Sequence, residues 1–111
     1  MLPSESRTRD AHRLIVDRCK RDPQFTRSLL DEAASLFLNG EPDAARLILR
    51  DLVNATVGFE RLAIETDKPS KSLHRMLSPA GNPSMDNLAA IFDAIRRNLG
   101  VEIQVQAVHA V

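Results

Sequence analysis

Proline, glycine and asparagine divide this chain into segments that have the length of short helices. Asp22-Pro23 combines a residue favoured at the N-cap with one favoured at the first helical position, and Asn39-Gly40 is typical of a helix end. Between these breaks, apolar residues recur with a period near 3.6. The stripe of the second predicted helix consists of Phe25, Leu29, Ala33, Leu36 and Phe37. The pattern therefore predicts an all-α fold.

The same punctuation predicts five or six helices along 111 residues. The predicted helices cover residues 9–20, 23–39, 42–56, 59–66, 70–77 and 84–99. Residues 1–8 have no periodic pattern and are predicted to form a loose arm. The length fits one domain, residues 1–111. Within it, the N-terminal helices occupy residues 9–57 and are followed by a pair of short helices at 58–78.

After Gly100 the apolar period changes from helical to alternating. Val101, Ile103 and Val105 alternate with Glu102, Gln104 and Gln106. This alternation predicts one short C-terminal β-strand, residues 101–106. A single strand leaves its backbone groups unpaired, so we expect the same strand of a second copy to pair with it in a homodimer. The alternative is a monomer in which the strand folds back on its own helix.

The most informative stretch is Phe59–Leu77, where two short helices flank the break Asp67-Lys68-Pro69. This spacing is typical of a helix-turn-helix. Such a motif needs a small residue where its helices cross, and Ala63 meets that need. The alternative is a plain helical bundle, since two short helices joined by a turn also occur in proteins that bind no DNA.

The outer face of the second short helix is predicted to be polar and basic. Residues 68–77 contain three Lys or Arg residues and no acid. Charge for phosphates and donors for base edges are what a helix in a major groove must offer. The predicted DNA-contacting residues are Lys68, Ser70, Lys71, Ser72, His74, Arg75 and Asn82.

Each of these residues also has a plainer interpretation. Lys71 and Arg75 would then be solvated charges, and His74 an ordinary surface residue. Ser70 would cap its helix, and Asn82 would hold a turn conformation that asparagine tolerates.

Composition and motif content exclude several other classes of protein. Fifteen basic and fifteen acidic residues give a net charge of zero, which excludes a protein that binds nucleic acid by bulk charge. The single cysteine, Cys19, is interpreted as a small core residue rather than a reactive thiol. No catalytic motif or metal-ligand spacing occurs, so we expect neither an enzyme nor a cofactor. No signal-peptide core or membrane-spanning run is present, which predicts a cytoplasmic protein.

Residues 51–91, DLVNATVGFERLAIETDKPSKSLHRMLSPAGNPSMDNLAAI, resemble the Cro/Xre-type helix-turn-helix proteins of the HigA-like addiction-module antidote group. The strongest matches are Ser70-Lys71-Ser72-Leu73 with Arg75 and Leu77, followed by Gly81-Asn82-Pro83. Asp22-Pro23 and Gly40-Glu41-Pro42 also fit, so the resemblance covers roughly residues 22–105. Asp67 departs from the usual glycine of the turn, and Lys68 from a usually apolar residue.

The resemblance implies a lambda-repressor-like fold and a dimeric DNA-binding repressor. It further implies an antitoxin that regulates its own toxin–antitoxin operon, often beside a RelE-like ribonuclease toxin. The alternative function is a protein-interaction module, toxin-neutralising or adaptor, that does not bind DNA.

Overall fold

The computed structural model describes the backbone of residues 4–111 and the side chains of residues 9–111. Its six helices are α1 (Ser4–Arg21), α2 (Pro23–Leu38), α3 (Pro42–Ala55), α4 (Phe59–Thr66), α5 (Ser70–Met76) and α6 (Met85–Leu99). The predicted all-α class and the number of helices are confirmed.

Most helix ends lie where the local sequence places them. The Asp22 side chain accepts a hydrogen bond from the Phe25 N–H at 3.1 Å, and Pro23 occupies the first position of α2. The Ser84 hydroxyl accepts from the Asn87 N–H at 3.1 Å at the start of α6. Gly100 ends α6 in the left-handed conformation. These caps satisfy backbone groups that have no partner inside their helix.

The predicted loose arm is wrong for residues 4–8, which belong to α1; residues 1–3 lie outside the described part of the chain. Neither proline nor glycine interrupts residues 4–22, so a helix can continue into a segment that lacks an apolar stripe. Burial along α1 does not follow the polarity of its side chains. Leu14 is 67% exposed, whereas His12 is half-buried.

One cluster of buried side chains draws on all six helices. Its members are Cys19, Leu30, Ala33, Leu49, Leu52, Val53, Phe59, Leu62, Leu73, Leu77, Ile91, Ala94 and Ile95. Helix α2 packs mainly on α3, and α1 lies against both. Leu52, in the last turn of α3, is fully buried in the same cluster as Leu62 of α4 and Leu73 of α5, so the N-terminal helices share their core with α4 and α5.

Cys19 is part of this cluster, as the sequence predicted. Its side chain is buried, and burial raises the pKa of the thiol, which keeps it protonated. The neighbouring Thr26 is also buried, and its hydroxyl donates to the Cys19 carbonyl at 2.8 Å. This bond joins the end of α1 to the first turn of α2.

The predicted C-terminal strand is not formed: residues 101–111 adopt neither helix nor strand, and residues 4–100 contain no strand that could pair with them. Val101 and Ile103 pack partly on the core, whereas Val105 is 72% exposed. The alternating pattern thus places two of its three apolar residues inward. A β-ladder additionally needs a second strand, and none is available within the described chain.

Candidate nucleic-acid interface

Helices α4 and α5 pack against each other across a three-residue connection. Helix α4 ends at Asp67, which has φ 54° and ψ 45° and is the sole non-glycine residue with positive φ in the described backbone. Aspartate tolerates this left-handed conformation better than most residues do. The Lys68 N–H then donates to the Ala63 carbonyl at 3.1 Å, and Pro69 precedes α5 in an extended conformation. A sharp turn is therefore formed without the glycine that is usual there.

Helix α5 buries one side and exposes a basic one. Leu73 is fully buried and Met76 is partly buried against the core. Lys71, His74 and Arg75 are exposed on the other side. Among residues 9–111, neither Lys71 nor Arg75 forms an ion pair within 4 Å. Both cations are therefore available to an external anion.

The other predicted contact residues differ in exposure. Asn82 is exposed in the loop between α5 and α6. Lys68, Ser70 and Ser72 are half-buried, so each presents only part of its side chain. The structure thus brings six of the seven predicted residues together on α5 and the turn before it, and the loop carries the seventh.

Helix α4, which packs against α5, carries two acidic residues. Glu65 pairs with Arg61 on the same helix, at 3.2 Å from Nε to Oε1, and Glu60 is exposed. An exposed ion pair of this kind contributes little to stability. Within the described residues 58–78, the cations that form no ion pair therefore lie on α5 and the turn.

The imidazole of His74 stacks on the phenyl ring of Phe59, the first residue of α4. The ring centroids are 3.8 Å apart and the planes differ by 17°. Phe59 is buried, so the stack rests on the core. The sequence predicted that His74 lies on the outer face of its helix. Nothing in the pattern, however, indicated that residues on two different helices would meet.

Arg46 of α3 is a residue that the sequence analysis missed. Its side chain is buried, and its Nε donates to the Ser78 carbonyl at 3.2 Å while Nη2 donates to the Pro79 carbonyl at 3.1 Å. Nη2 also bonds the carboxylate of Asp43, which lies one turn earlier. A signal was present in the sequence, because Arg46 lies three residues before Leu49 on the apolar side of its helix.

A second pair of ionisable side chains lies away from α5. His12 Nδ1 is 2.8 Å from Asp51 Oδ2, and this contact joins α1 to α3. Burial raises the pKa of the Asp51 carboxyl, and the hydrogen bond with His12 partly offsets this effect. The pair connects helices of the N-terminal half and does not belong to the basic face.

A groove of about 450 Å³ lies between α2 and the C-terminal tail. Its α2 wall includes Leu38, which is 60% exposed, and its other wall consists of residues 103–107. Of the predicted dimerisation residues, Ile103 and Val105 line it, and Val101 and Ile103 pack partly on the core. The groove therefore places the tail beside α2 rather than only beside α6.

Among the described residues, none of the helices combines the length and the apolar composition that a membrane span requires. No group of three or more His, Cys, Asp or Glu residues is placed to hold a metal ion in that part of the chain. Comparisons with protein-family models, with curated proteins and with solved structures found no match to this chain.

Proposed function

We propose that this chain is a sequence-specific DNA-binding transcriptional regulator in which α5 enters the major groove. One observation carries the proposal. The outer side of α5 presents Lys71 and Arg75 exposed and without ion pairs among the described residues, directly after a three-residue turn. Cationic donors on the exposed side of a short helix suit both phosphates and base edges.

The proposed roles follow from the donor chemistry of each side chain. The guanidinium of Arg75 can donate two parallel hydrogen bonds to a guanine edge, the commonest specific contact in a major groove. Lys71 and Lys68 supply positive charge for phosphates, and Ser70, Ser72 and Asn82 supply neutral donors. His74 adds a ring nitrogen, and the stack on Phe59 defines the plane of its imidazole.

The biological setting that we propose comes from the sequence resemblance. The protein would be a cytoplasmic, antitoxin-like repressor that regulates its own operon and binds a RelE-like toxin. A homodimer would place two α5 helices about 34 Å apart on successive major grooves. The tail at 101–106, which has no partner strand in the described chain, would pair antiparallel with its copy about a two-fold axis.

A gel-shift assay with the DNA immediately upstream of the coding sequence tests DNA binding. The DNA must carry the label, because the chain contains neither tryptophan nor tyrosine. A shift at low salt that survives excess scrambled duplex supports the proposal. No shift for protein that is helical by circular dichroism contradicts it.

The second candidate is a protein-interaction module without DNA binding. The observation that favours it is the groove between α2 and residues 103–107, where Leu38 and Val105 expose apolar surface. Coexpression with the product of the neighbouring reading frame distinguishes the two. Co-purification of that product, together with no DNA shift, favours the interaction module.

A further inference from the structure

Arg46 is a buried arginine that joins α3 to the end of α5. Its residue exposure is 7%, so its guanidinium has been taken almost completely out of water. Burying a charge is unfavourable unless it is paired and hydrogen-bonded. Here, two backbone carbonyls and the Asp43 carboxylate accept its hydrogen bonds. The buried side chains of the described residues leave no polar atom without a partner.

The two carbonyls belong to a loop that is itself closely bound to α5. The Ser78 hydroxyl donates to the Arg75 carbonyl at 2.7 Å, and the Ser78 N–H donates to the same oxygen at 3.2 Å. The Gly81 N–H donates to the Ser78 carbonyl at 2.9 Å. The last turn of α5 and the loop therefore form one hydrogen-bonded unit.

Gly81 packs so closely on this unit that no side chain fits. A Cβ at this position would lie 2.1 Å from the carbonyl oxygen of Met76 and 2.6 Å from that of Arg75. The loop that carries Asn82 thus lies directly against the backbone of the helix that carries Arg75. A movement of this loop would therefore displace both Asn82 and Arg75.

Helix α5 packs mainly on α4, and it is connected to the core by its buried apolar residues and by the stack of His74 on Phe59. Dispersion contacts of Leu73 and Leu77 favour burial but are not directional. Hydrogen bonds from Arg46 add direction, because they fix the positions of two consecutive carbonyls relative to α3.

We infer that Arg46 is a positioning residue that holds the C-terminal end of α5 and the 78–83 loop in the orientation required for DNA contact. The inference rests on the proposed function. Arginine suits the task because its planar fork donates to two neighbouring acceptors at once, whereas a lysine offers a single ammonium group. Arg46→Lys therefore keeps the charge and loses the fork.

Amide hydrogen exchange tests the positioning without DNA. In Arg46→Lys, exchange at the Ser78 and Gly81 amides is expected to rise roughly tenfold or more, because their local bonds open more often. Core amides such as that of Leu52 should keep their wild-type rates. Arg50→Lys is the matched control, since Arg50 is exposed on the same helix, and it should leave all these rates unchanged.

A milder variant keeps the test valid if Arg46→Lys does not fold. Asp43→Ala keeps the arginine and removes the carboxylate that orients it, and the Asp43 side chain is 90% exposed. It should accelerate exchange at the same two amides by a smaller factor. Unchanged exchange at Ser78 and Gly81 in every folded variant overturns the positioning role.

Titration of a fluorescein-labelled duplex of the upstream DNA supplies the second readout. Arg46→Lys should weaken binding roughly three- to tenfold and leave the slope of log affinity against log salt unchanged, because it removes no phosphate contact. Unchanged affinity despite faster loop exchange overturns the inference. If wild-type protein does not bind DNA, the proposed function is overturned together with this role in DNA contact. The exchange data then still decide whether Arg46 holds the loop.

Discussion

The imidazole of His74 lies nearly parallel to the phenyl ring of Phe59, with 3.8 Å between the ring centroids. The pair joins the middle of α5 to the first residue of α4, and Phe59 is buried. Lys71 and Arg75, on either side of His74 in the sequence, extend from a helix whose rotation this stack helps to fix. A rigid platform lowers the entropy lost when such side chains bind.

Arg75→Ala is expected to weaken specific DNA binding by about 1–3 kcal/mol, as for the loss of one base contact. Lys71→Ala should weaken binding less and reduce the salt dependence, since it removes a phosphate contact. Arg27→Ala, which removes an exposed charge on α2, serves as the control. Equal affinity of Arg75→Ala and wild type for the upstream duplex would show that α5 does not dock as proposed.

Leu52→Ala should lower the free energy of unfolding by about 2–5 kcal/mol, because Leu52 is fully buried and its removal leaves a cavity. Leu14→Ala removes the same atoms from a side chain that is 67% exposed, and it should change stability by less than about 0.5 kcal/mol. Urea denaturation followed by circular dichroism measures both. Calorimetry should give one transition, and two separated transitions would contradict a shared core.

The pH dependence of the free energy of unfolding should reflect the ionisation of Asp51. Burial raises its folded pKa above the ordinary value of 3.8, so its contribution to stability is greatest below that value and is lost as the pH rises through the folded pKa. Asp51→Asn cannot ionise and retains an acceptor for His12. The unfolding free energy of wild type minus that of Asp51→Asn should therefore fall as the pH increases from acid towards neutral. A difference that rises over this range would mean that the contact with His12 outweighs burial.

Ile103→Pro should dissociate the proposed homodimer, because proline removes a backbone donor from the ladder. Light scattering should give a mass near twice 12.3 kDa for wild type and near 12.3 kDa for the variant. Val108→Pro, beyond the proposed strand at a side chain that is 76% exposed, should remain dimeric. A wild-type mass of 12.3 kDa at micromolar concentration rules out the dimer.

Gly81→Ala should destabilise the loop after α5, because the added Cβ would lie 2.1 Å from the carbonyl oxygen of Met76. Overpacking of this kind costs about 1–3 kcal/mol. Ala80→Ser, at the exposed neighbouring position, is the control. Wild-type stability and loop exchange in Gly81→Ala would show that the loop lies farther from α5.

Features that depend on a few neighbouring residues could be predicted from the sequence. Asp22 and Ser84 cap their helices because each side chain reaches an N–H three residues later. The left-handed conformation of Asp67 is also a local property, since aspartate tolerates it better than most residues do. The basic outer side of α5 follows from the helical period once Leu73 is buried.

The C-terminal tail shows which features depend on the local sequence pattern and which depend on tertiary contacts. Alternation at 101–106 puts Val101, Ile103 and Val105 on one apolar side; Val101 and Ile103 do pack on the core, whereas Val105 is exposed. Strand formation is a property of two segments rather than one, and the described chain supplies no second segment. At the start of α1 the opposite holds: the helix extends to Ser4 although its first turns carry no apolar period that would predict it.

Sequence by itself determined where most helices begin and end, the start of α1 excepted, since capping and turn formation act over three or four residues of one chain. Only the tertiary structure decided the partners of His12, Arg46 and His74. His12 meets Asp51 from 39 residues away, and Arg46 reaches Ser78 from 32 residues away. Such contacts form only after apolar burial has packed the helices, because the direction of a side chain depends on how its whole helix is rotated and placed.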